Sequence, residues 1–145
     1  MQELAHNPAF LTYALTSTIL GLHLLALALW TGSVRVMRRT WVNPEDARLN
    51  KGAEAEVDHA DVQRVKRAHM NALENAIPFF VVGLLYVLTG ASAMGAMIYF
   101  YTFLGARLLH SVFYLWGRQP FRTMMFGIGV LAIIGMGFQV IKAAV

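Results

Sequence analysis

Three polar side chains share one face of a segment that leads directly into an apolar run. Arg67, Asn71 and Glu74 are spaced four and three residues apart, and the run FFVVGLLYVL follows at residues 79–88. Residues at these spacings lie on the same side of an α-helix. Charged groups at membrane depth are rare and usually mark a functional site that faces a bundle interior or water. This face is therefore the first candidate for a binding site.

Two further groups of polar residues add matching chemistry. Arg107, His110 and Tyr114 are three and four residues apart, and Arg122 and Thr123 begin the last apolar segment. Forked guanidinium groups match carboxylates, whereas a single carboxylate suits an ammonium group. The combined set predicts a cleft for a small zwitterion that carries extra carboxylates.

Several of these residues also have a purely structural interpretation. Arg107 and Glu74 are candidates for an ion pair that only fixes the register of two helices. Arg35 and Arg38 end the first apolar segment at a depth that suits the cleft, but basic residues at such ends usually anchor to lipid headgroups. A proton relay through Glu74 and His110 is a further alternative.

Metal binding and serine–histidine catalysis fit this sequence poorly. No two histidines share a ligand spacing with a nearby carboxylate, and the chain has no cysteine. Ser111 follows His110 directly, so the two side chains point in different directions on a helix. We therefore expect no metal site, and we interpret His23 and His69 as bundle histidines with satisfied hydrogen bonds. Any thiol chemistry requires a thiol that a ligand brings in.

The elements that must position these residues are membrane helices. The chain has 145 residues, of which 57% are hydrophobic and 14% are charged. A helix needs about 20 apolar residues to cross a bilayer. Four windows are long enough: residues 10–34, 72–90, 94–116 and 121–145. The sequence thus predicts an all-α fold, a polytopic membrane four-helix bundle with a single domain over residues 1–145.

The basic residues predict how the helices are oriented. Eight of the twelve Lys and Arg residues lie between Arg35 and Arg67, in or beside the first connection (residues 35–66). Arg118 and Arg122 lie in the third connection, and the second has no charge. By the positive-inside rule, both basic connections are cytoplasmic and both termini lie on the other side. The membrane is expected to be a bacterial inner membrane or, in a eukaryote, the endoplasmic reticulum.

The first connection combines opposite charges with turn residues. Its six acidic residues lie among the basic ones and would repel phosphate groups, so nucleic acid is excluded as a partner. Pro44, followed by Glu45 and Asp46, predicts a turn or a short helix. The polar segment 50–60 is expected to be mobile, and a helix is expected to restart near Asp61.

Four stretches of the chain together resemble the MAPEG superfamily, the membrane-associated proteins of eicosanoid and glutathione metabolism. They are TGSVRVMRRTWVNPEDA (31–47), RVKRAHMNALENAIPF (64–79), GARLLHSVFYL (105–115) and QPFRT (119–123). They touch every predicted helix, follow the family order and together hold 49 of the 145 residues. The likeness is greater to the branch of glutathione transferases and prostaglandin E synthases than to that of leukotriene C4 synthase.

The resemblance implies a homotrimer that binds glutathione as co-substrate between adjacent subunits, near the cytosolic side. Carried over on the matching motifs, Glu74 takes the γ-glutamyl ammonium group and Asn71 hydrogen-bonds nearby. Arg122 lies beside the sulfur, where its positive charge favours the thiolate, with Thr123 as a hydroxyl donor and Asp46 as a further cytosolic partner. The residues that hold the carboxylates and peptide groups, or support those that do, are Arg35, Arg67, Arg107, His110 and Tyr114.

Three positions depart from these relatives. The prostaglandin synthase has arginine at the position of Met70 and tyrosine at that of Phe126, and both relatives usually have aspartate at that of Ala72. The loss of a guanidinium and a phenol disfavours prostaglandin isomerisation. An apolar residue at position 70 is more typical of the transferase.

The resemblance therefore implies a detoxifying glutathione transferase with glutathione-dependent peroxidase activity. Its second substrates are apolar electrophiles or lipid hydroperoxides, which enter from the bilayer along the first and last helices near Tyr13, Leu24 and Phe126. The alternatives are a prostaglandin E synthase-like isomerase, a non-catalytic lipid-binding scaffold and a small transporter gated by Glu74 and Arg107. No inverted repeat supports a transporter, and a scaffold has no need of an arginine beside a glutathione sulfur.

Overall fold

Four long helices form most of the molecule. A computed structural model describes residue 4 and residues 6–145. In chain order its elements are α1 (Pro8–Arg38), β1 (Thr40–Trp41), α2 (Pro44–Leu49), β2 (Ala53–Glu54), α3 (Ala60–Leu88), α4 (Ala93–Leu115) and α5 (Gln119–Ala144). The four long helices α1, α3, α4 and α5 are each long and apolar enough to cross a membrane, and the chain is 82% helical. This confirms the predicted membrane four-helix bundle.

Three of the four long helices begin at a side-chain cap, and all four begin before the predicted apolar windows. Asn7 caps α1, since its Oδ1 accepts the backbone N–H of Ala9 at 2.8 Å. Ser92 caps α4 in the same way, accepting the N–H of Gly95 at 3.1 Å. α3 begins at Ala60, well before the apolar window at 72–90, because polar residues continue its helical period into water.

An aromatic cluster holds the middle of the bundle together. Phe79 of α3 stacks on Phe103 of α4, with ring centroids 4.5 Å apart and planes 4° from parallel, and both residues are fully buried. Tyr13 of α1 packs beside Phe79 and donates its hydroxyl to the carbonyl of Phe80 at 2.8 Å. In the described residues, α1 and α5 each pack against α3 and α4 but not against each other. The outer helices therefore lie on opposite flanks of a central pair.

One polar contact links α1 to α4 inside the bundle. His23 Nε2 and Ser111 Oγ lie 2.9 Å apart, and Ser111 is buried. This confirms the interpretation of His23 as a bundle histidine with a hydrogen bond. His69 is half-buried but makes no hydrogen bond to the protein within the described part of the chain.

The first connection folds into a compact β–α–β unit. β1 and β2 pair in parallel, with Thr40 opposite Ala53 and Trp41 opposite Glu54. Trp41 is buried against Gly52, where a Cβ would overlap its indole ring. The short helix α2 confirms the prediction made from Pro44. Backbone hydrogen bonds fix residues 53–55, in contrast to the expected mobility of segment 50–60.

Candidate functional site

A cavity of about 300 Å³ opens where α4 ends and α5 begins. Its lining residues are Asn71, His110, Tyr114, Arg122, Thr123 and Phe126. We call these six residues, with Arg107 beside them, the candidate site. The volume is at the lower end of the range for ligand pockets, which begins at roughly 300 Å³. Five of the six lining residues were named from the sequence as binding or catalytic candidates.

The helix ends explain why these residues meet. His110 and Tyr114 are one turn apart on α4, so both face the same side. Gly117, with φ of 71°, reverses the chain in a conformation that favours glycine, and α5 begins two residues later. The first turns of α5 then place Arg122 and Phe126 against the end of α4.

Arg107 is the most unusual group beside this cavity. It is only 1% exposed, and its Nη2 donates to Asn71 Oδ1 at a long 3.4 Å. Its Nε and Nη1 have no hydrogen-bond partner in the part of the chain that the structure describes. Its guanidinium carbon lies 5.8 Å from the centre of the Phe126 ring. A buried charge with free donors is costly, so Arg107 is suited to an anionic partner from outside the chain.

The ion pair between Arg107 and Glu74, the structural alternative for Arg107, is not formed among the described residues. Glu74 is exposed on α3, and among the described residues it forms no ion pair, with Arg107 or with any other group. The neutral amide of Asn71 occupies the position beside Arg107 instead. The hypothesis of an ion pair that only fixes helix register is therefore wrong for these residues.

His110 adds a second buried group with unused bonding capacity. It is 3% exposed, and its Nδ1 has no partner among residues 6–145. Its ring centre lies 5.7 Å from that of Tyr114 and 6.3 Å from that of Phe126. Since each imidazole nitrogen either donates or accepts a hydrogen bond, Nδ1 has one bond left to make.

Arg122 supplies a fixed positive charge at the rim. Its guanidinium carbon lies 4.6 Å above the centre of the Tyr114 ring. Such cation–π contacts are worth about 0.5–1 kcal/mol at partly exposed sites. Thr123 follows it on α5 with its side chain exposed to the cavity. The arrangement can hold a negative charge next to a hydroxyl donor.

Arg35 lies in a different contact from the one expected. Its Nε and Nη2 donate to Asp58 Oδ1 and Oδ2 at 3.0 and 3.1 Å, and Lys66 Nζ reaches Oδ2 at 3.0 Å. We call Arg35, Asp58 and Lys66 the clasp. The hydrogen bonds from Arg35 lower the pKa of the Asp58 carboxyl below its usual value, although burial opposes this. A neighbouring ion pair joins Arg38 to Asp61.

Asp46 lies apart from the cavity, in the β–α–β unit. Its carboxylate accepts the side-chain amide of Asn43 at 3.0 Å, and its backbone carbonyl accepts that of Asn50 at 2.8 Å. Both contacts are local to α2. Asp46 is thus not among the residues that line the cavity.

The remaining candidates lie on the outward side of α3. Arg67 is exposed and, among the described residues, donates only to Gln63 Oε1 at 3.4 Å, and Glu74 is exposed as well. Met70, whose identity bears on the choice of activity, is 55% exposed and does not line the cavity. Within a single chain, these side chains do not line the cavity, although Asn71 of the same helix does.

Phe126 is the lining residue that the sequence assigned differently. It was expected at the entry of an apolar substrate, whereas it forms a wall of the cavity against Arg107 and His110. The signal was present in the spacing, because Arg122, Thr123 and Phe126 lie on adjoining turns of one helix face.

Comparisons with known proteins cover nearly the whole chain. A model of the MAPEG family matches residues 13–142. Microsomal glutathione S-transferase 1 of Sus scrofa is 34% identical over 148 residues, which cover 99% of this chain and 96% of that protein. Prostaglandin E synthase of Equus caballus is 36% identical over 138 residues, or 94% of this chain and 88% of that protein. Microsomal glutathione S-transferase 1 of Homo sapiens is 33% identical, with coverages of 99% and 96%.

Proposed function

Because this chain belongs to the MAPEG family, we propose that it is a membrane-bound glutathione transferase with glutathione-dependent peroxidase activity. Its second substrate is an apolar electrophile or a lipid hydroperoxide that reaches the site from the bilayer. The observation that carries the proposal is the position of Arg122, which is held over Tyr114 at the rim of the cavity, near the buried and unpaired donors of Arg107.

Glutathione carries carboxylates and peptide groups that match the unpaired polar atoms of the candidate site. Its carboxylates match the free Nε and Nη1 of Arg107, since forked guanidinium–carboxylate pairs are among the strongest hydrogen-bonded contacts. His110 Nδ1 and Asn71 are available for its peptide groups. The fit rests on these unsatisfied atoms.

A neighbouring subunit completes this proposed site. Glu74 and Arg67 carry opposite charges on the outward side of α3, where neither forms an ion pair with the described residues of its own chain. Exposed charges of this kind are costly in a membrane unless water or another protein surface covers them. A homotrimer with glutathione between its subunits brings Glu74 to the ammonium group of the ligand.

Arg122 acts on the sulfur in the proposed reaction. The thiolate is the nucleophile, and a nearby cation favours it over the thiol. With an electrophile, the sulfur forms a carbon–sulfur bond and the leaving group departs with its bonding electrons. With a hydroperoxide, the sulfur attacks the terminal oxygen, the O–O bond breaks, and an alcohol leaves after taking a proton. A second glutathione then converts the sulfenic form to the disulfide and water.

The transferase activity is favoured over prostaglandin isomerisation. Phe126 faces Arg107 and His110 with a ring that has no hydroxyl. Met70 adds no donor to the cavity. The scaffold alternative has no use for the unsatisfied donors of Arg107. In the proposed orientation, the β–α–β unit is cytoplasmic and both termini lie on the opposite side of the membrane.

The test uses the protein purified in detergent, with glutathione and a chloronitrobenzene or a lipid hydroperoxide. We expect glutathione to raise the melting temperature. Arg122→Ala is expected to lower kcat by about 100-fold, as the loss of one electrostatic stabiliser does. The matched control is Arg118→Ala, which removes an exposed arginine four residues earlier, outside the cavity.

Two results contradict the proposal at different levels. Absence of glutathione-dependent stabilisation excludes both the transferase and the peroxidase activity. Stabilisation together with full turnover by Arg122→Ala leaves the activity standing but refutes the role of Arg122.

A further inference from the structure

A second cavity, of about 570 Å³, lies at the opposite end of the bundle from the candidate site. It is formed where α3 ends, α4 begins and α5 ends. We call it the distal cavity, and its polar side chains include Tyr86, Ser92, Tyr99, Gln139 and Lys142. The proposed transferase function does not use it.

Glycines and aromatic rings give the distal cavity its shape. Gly90, with φ of 90°, ends α3 in a tight turn. A Cβ at Gly95 would overlap the Tyr86 hydroxyl, so the missing side chain leaves room for that group. Tyr86 and Tyr99 pack edge to face, with ring centres 5.6 Å apart and planes at 89°. The cavity thus has a rigid aromatic wall.

The polar groups of the distal cavity favour a negatively charged ligand. Tyr86 is 7% exposed, and its hydroxyl has no hydrogen bond to any described residue. Ser92 Oγ accepts the N–H of Gly95, which leaves its own proton to donate at the positive end of the α4 dipole. Lys142 forms no ion pair in the described residues, and no carboxylate lines the cavity.

The position of these groups identifies the source of the anion. Lys142 lies in the last turn of the last span, and Ser92 lies in the connection between two spans. Both positions correspond to the depth of lipid headgroups, where lysine side chains attract anionic lipids. A cavity of about 570 Å³ also has space for more than a single phosphate ion.

We propose that the distal cavity binds the phosphate group of a phospholipid from the leaflet opposite the candidate site. The Lys142 ammonium pairs with the phosphate, and the Tyr86 hydroxyl donates a hydrogen bond to it. Gln139 is placed for the polar part of the headgroup.

The test measures lipid binding to the purified protein by native mass spectrometry. The probes are phosphatidylglycerol, phosphatidylcholine and inorganic phosphate. Lys142→Gln should weaken phosphatidylglycerol binding about fivefold, the effect of one basic residue near an anionic surface. Tyr86→Phe should weaken it as well while keeping the ring packing, and Lys142→Arg should restore it. The control, Lys51→Gln, removes a lysine from the β–α–β unit and should change nothing.

Each outcome decides for or against the proposal. Weaker binding in both variants, with melting temperatures unchanged, supports a phospholipid site. Equal binding by wild type, Lys142→Gln and Tyr86→Phe overturns it. Full competition by free phosphate overturns the lipid as the source and leaves a soluble anion as the ligand.

Discussion

Arg35 and Arg107 show two opposite uses of one side chain. Arg35 makes two hydrogen bonds to Asp58 near 3.0 Å, and its side chain is 30% exposed. Arg107 is 1% exposed, and within the described part of the chain the single hydrogen bond of its side chain runs over 3.4 Å to the neutral amide of Asn71. The first arginine is satisfied by the protein, whereas the second is buried without enough partners.

This difference indicates which arginine stabilises the fold and which one is available to bind a ligand. A paired arginine stabilises the fold through its hydrogen bonds to a carboxylate that is itself only 8% exposed. A buried charge with free donors costs folding free energy unless a ligand supplies the missing partners. We therefore expect the clasp to stabilise the fold. We expect the candidate site to lower the stability of the free protein and to recover it when a ligand binds.

The largest expected effect follows from removing the buried charge. Arg107→Met should lower kcat/KM for glutathione about 100-fold, because truncating one partner of a buried charged contact is costly. The melting temperature without glutathione should stay the same or rise, since an apolar side chain replaces an unpaired charge. Steady-state kinetics and thermal unfolding measure the two effects on the same preparation.

Arg107→Lys provides the matched control. It keeps the charge but loses the planar fork, so activity should recover only in part. A clear loss of stability in Arg107→Met would mean that the guanidinium stabilises the fold. Arg107 would then resemble Arg35 instead of contrasting with it.

A substitution in the clasp should lower stability and leave activity unchanged, the opposite of the effect expected for Arg107→Met. Arg35→Met should lower the free energy of unfolding by about 2 kcal/mol, the order expected for hydrogen bonds to a charged group. The KM for glutathione should change little. Arg48→Met is the control, because Arg48 is an exposed arginine of the same connection without an ion pair among the described residues. A raised KM with unchanged stability would return Arg35 to the glutathione site that the family resemblance implied.

Acid should weaken the clasp through Asp58. The folded-state pKa of this carboxyl is lowered, chiefly by the hydrogen bonds from Arg35. Its stabilising contribution is thus present above the unfolded pKa, about 3.9, and is lost as the pH falls further through the folded pKa. The stability difference between wild type and Asp58→Asn should be constant above about pH 5 and shrink below about pH 4. A difference that does not depend on pH would exclude a titrating Asp58.

The smallest expected effect is a gain at the candidate site. Phe126→Tyr places a hydroxyl near Arg107 and His110, where buried groups lack partners. One added hydrogen bond should tighten glutathione binding about threefold. Calorimetric titration measures this affinity. Unchanged affinity would mean that the free donors do not face the ligand.

The helices and most of the cavity could be predicted, because both depend on local periodicity. Apolar length located all four spans, and four-residue spacing grouped His110 with Tyr114. The motif QPFRT placed Arg122 and Thr123 together at the start of the last helix. The contact between Arg107 and Asn71 depends on how α3 and α4 rotate against each other. Spacing within one helix does not determine that rotation, so the sequence suggested Glu74, and not Asn71, as the partner of Arg107.

The clasp and the β–α–β unit could not be predicted from local sequence patterns. Two strands of two residues each leave no alternation to detect, and their pairing joins segments separated by a whole helix. Arg35 belongs to a stretch that resembles the family motif. Its partner Asp58 lies in a polar segment with no such signal.

Two ion pairs join the end of α1 to the start of α3. Arg35 and Arg38 are three residues apart on α1, and their partners Asp58 and Asp61 are also three residues apart. Asp58 lies just before α3 and Asp61 in its first turn, so a slip of α3 by one residue would break the pair between Arg38 and Asp61. It would also turn α3 by about 100° relative to α1. Asn71, further along the same helix, would then rotate away from Arg107, so the angular setting of the cavity wall begins outside the membrane.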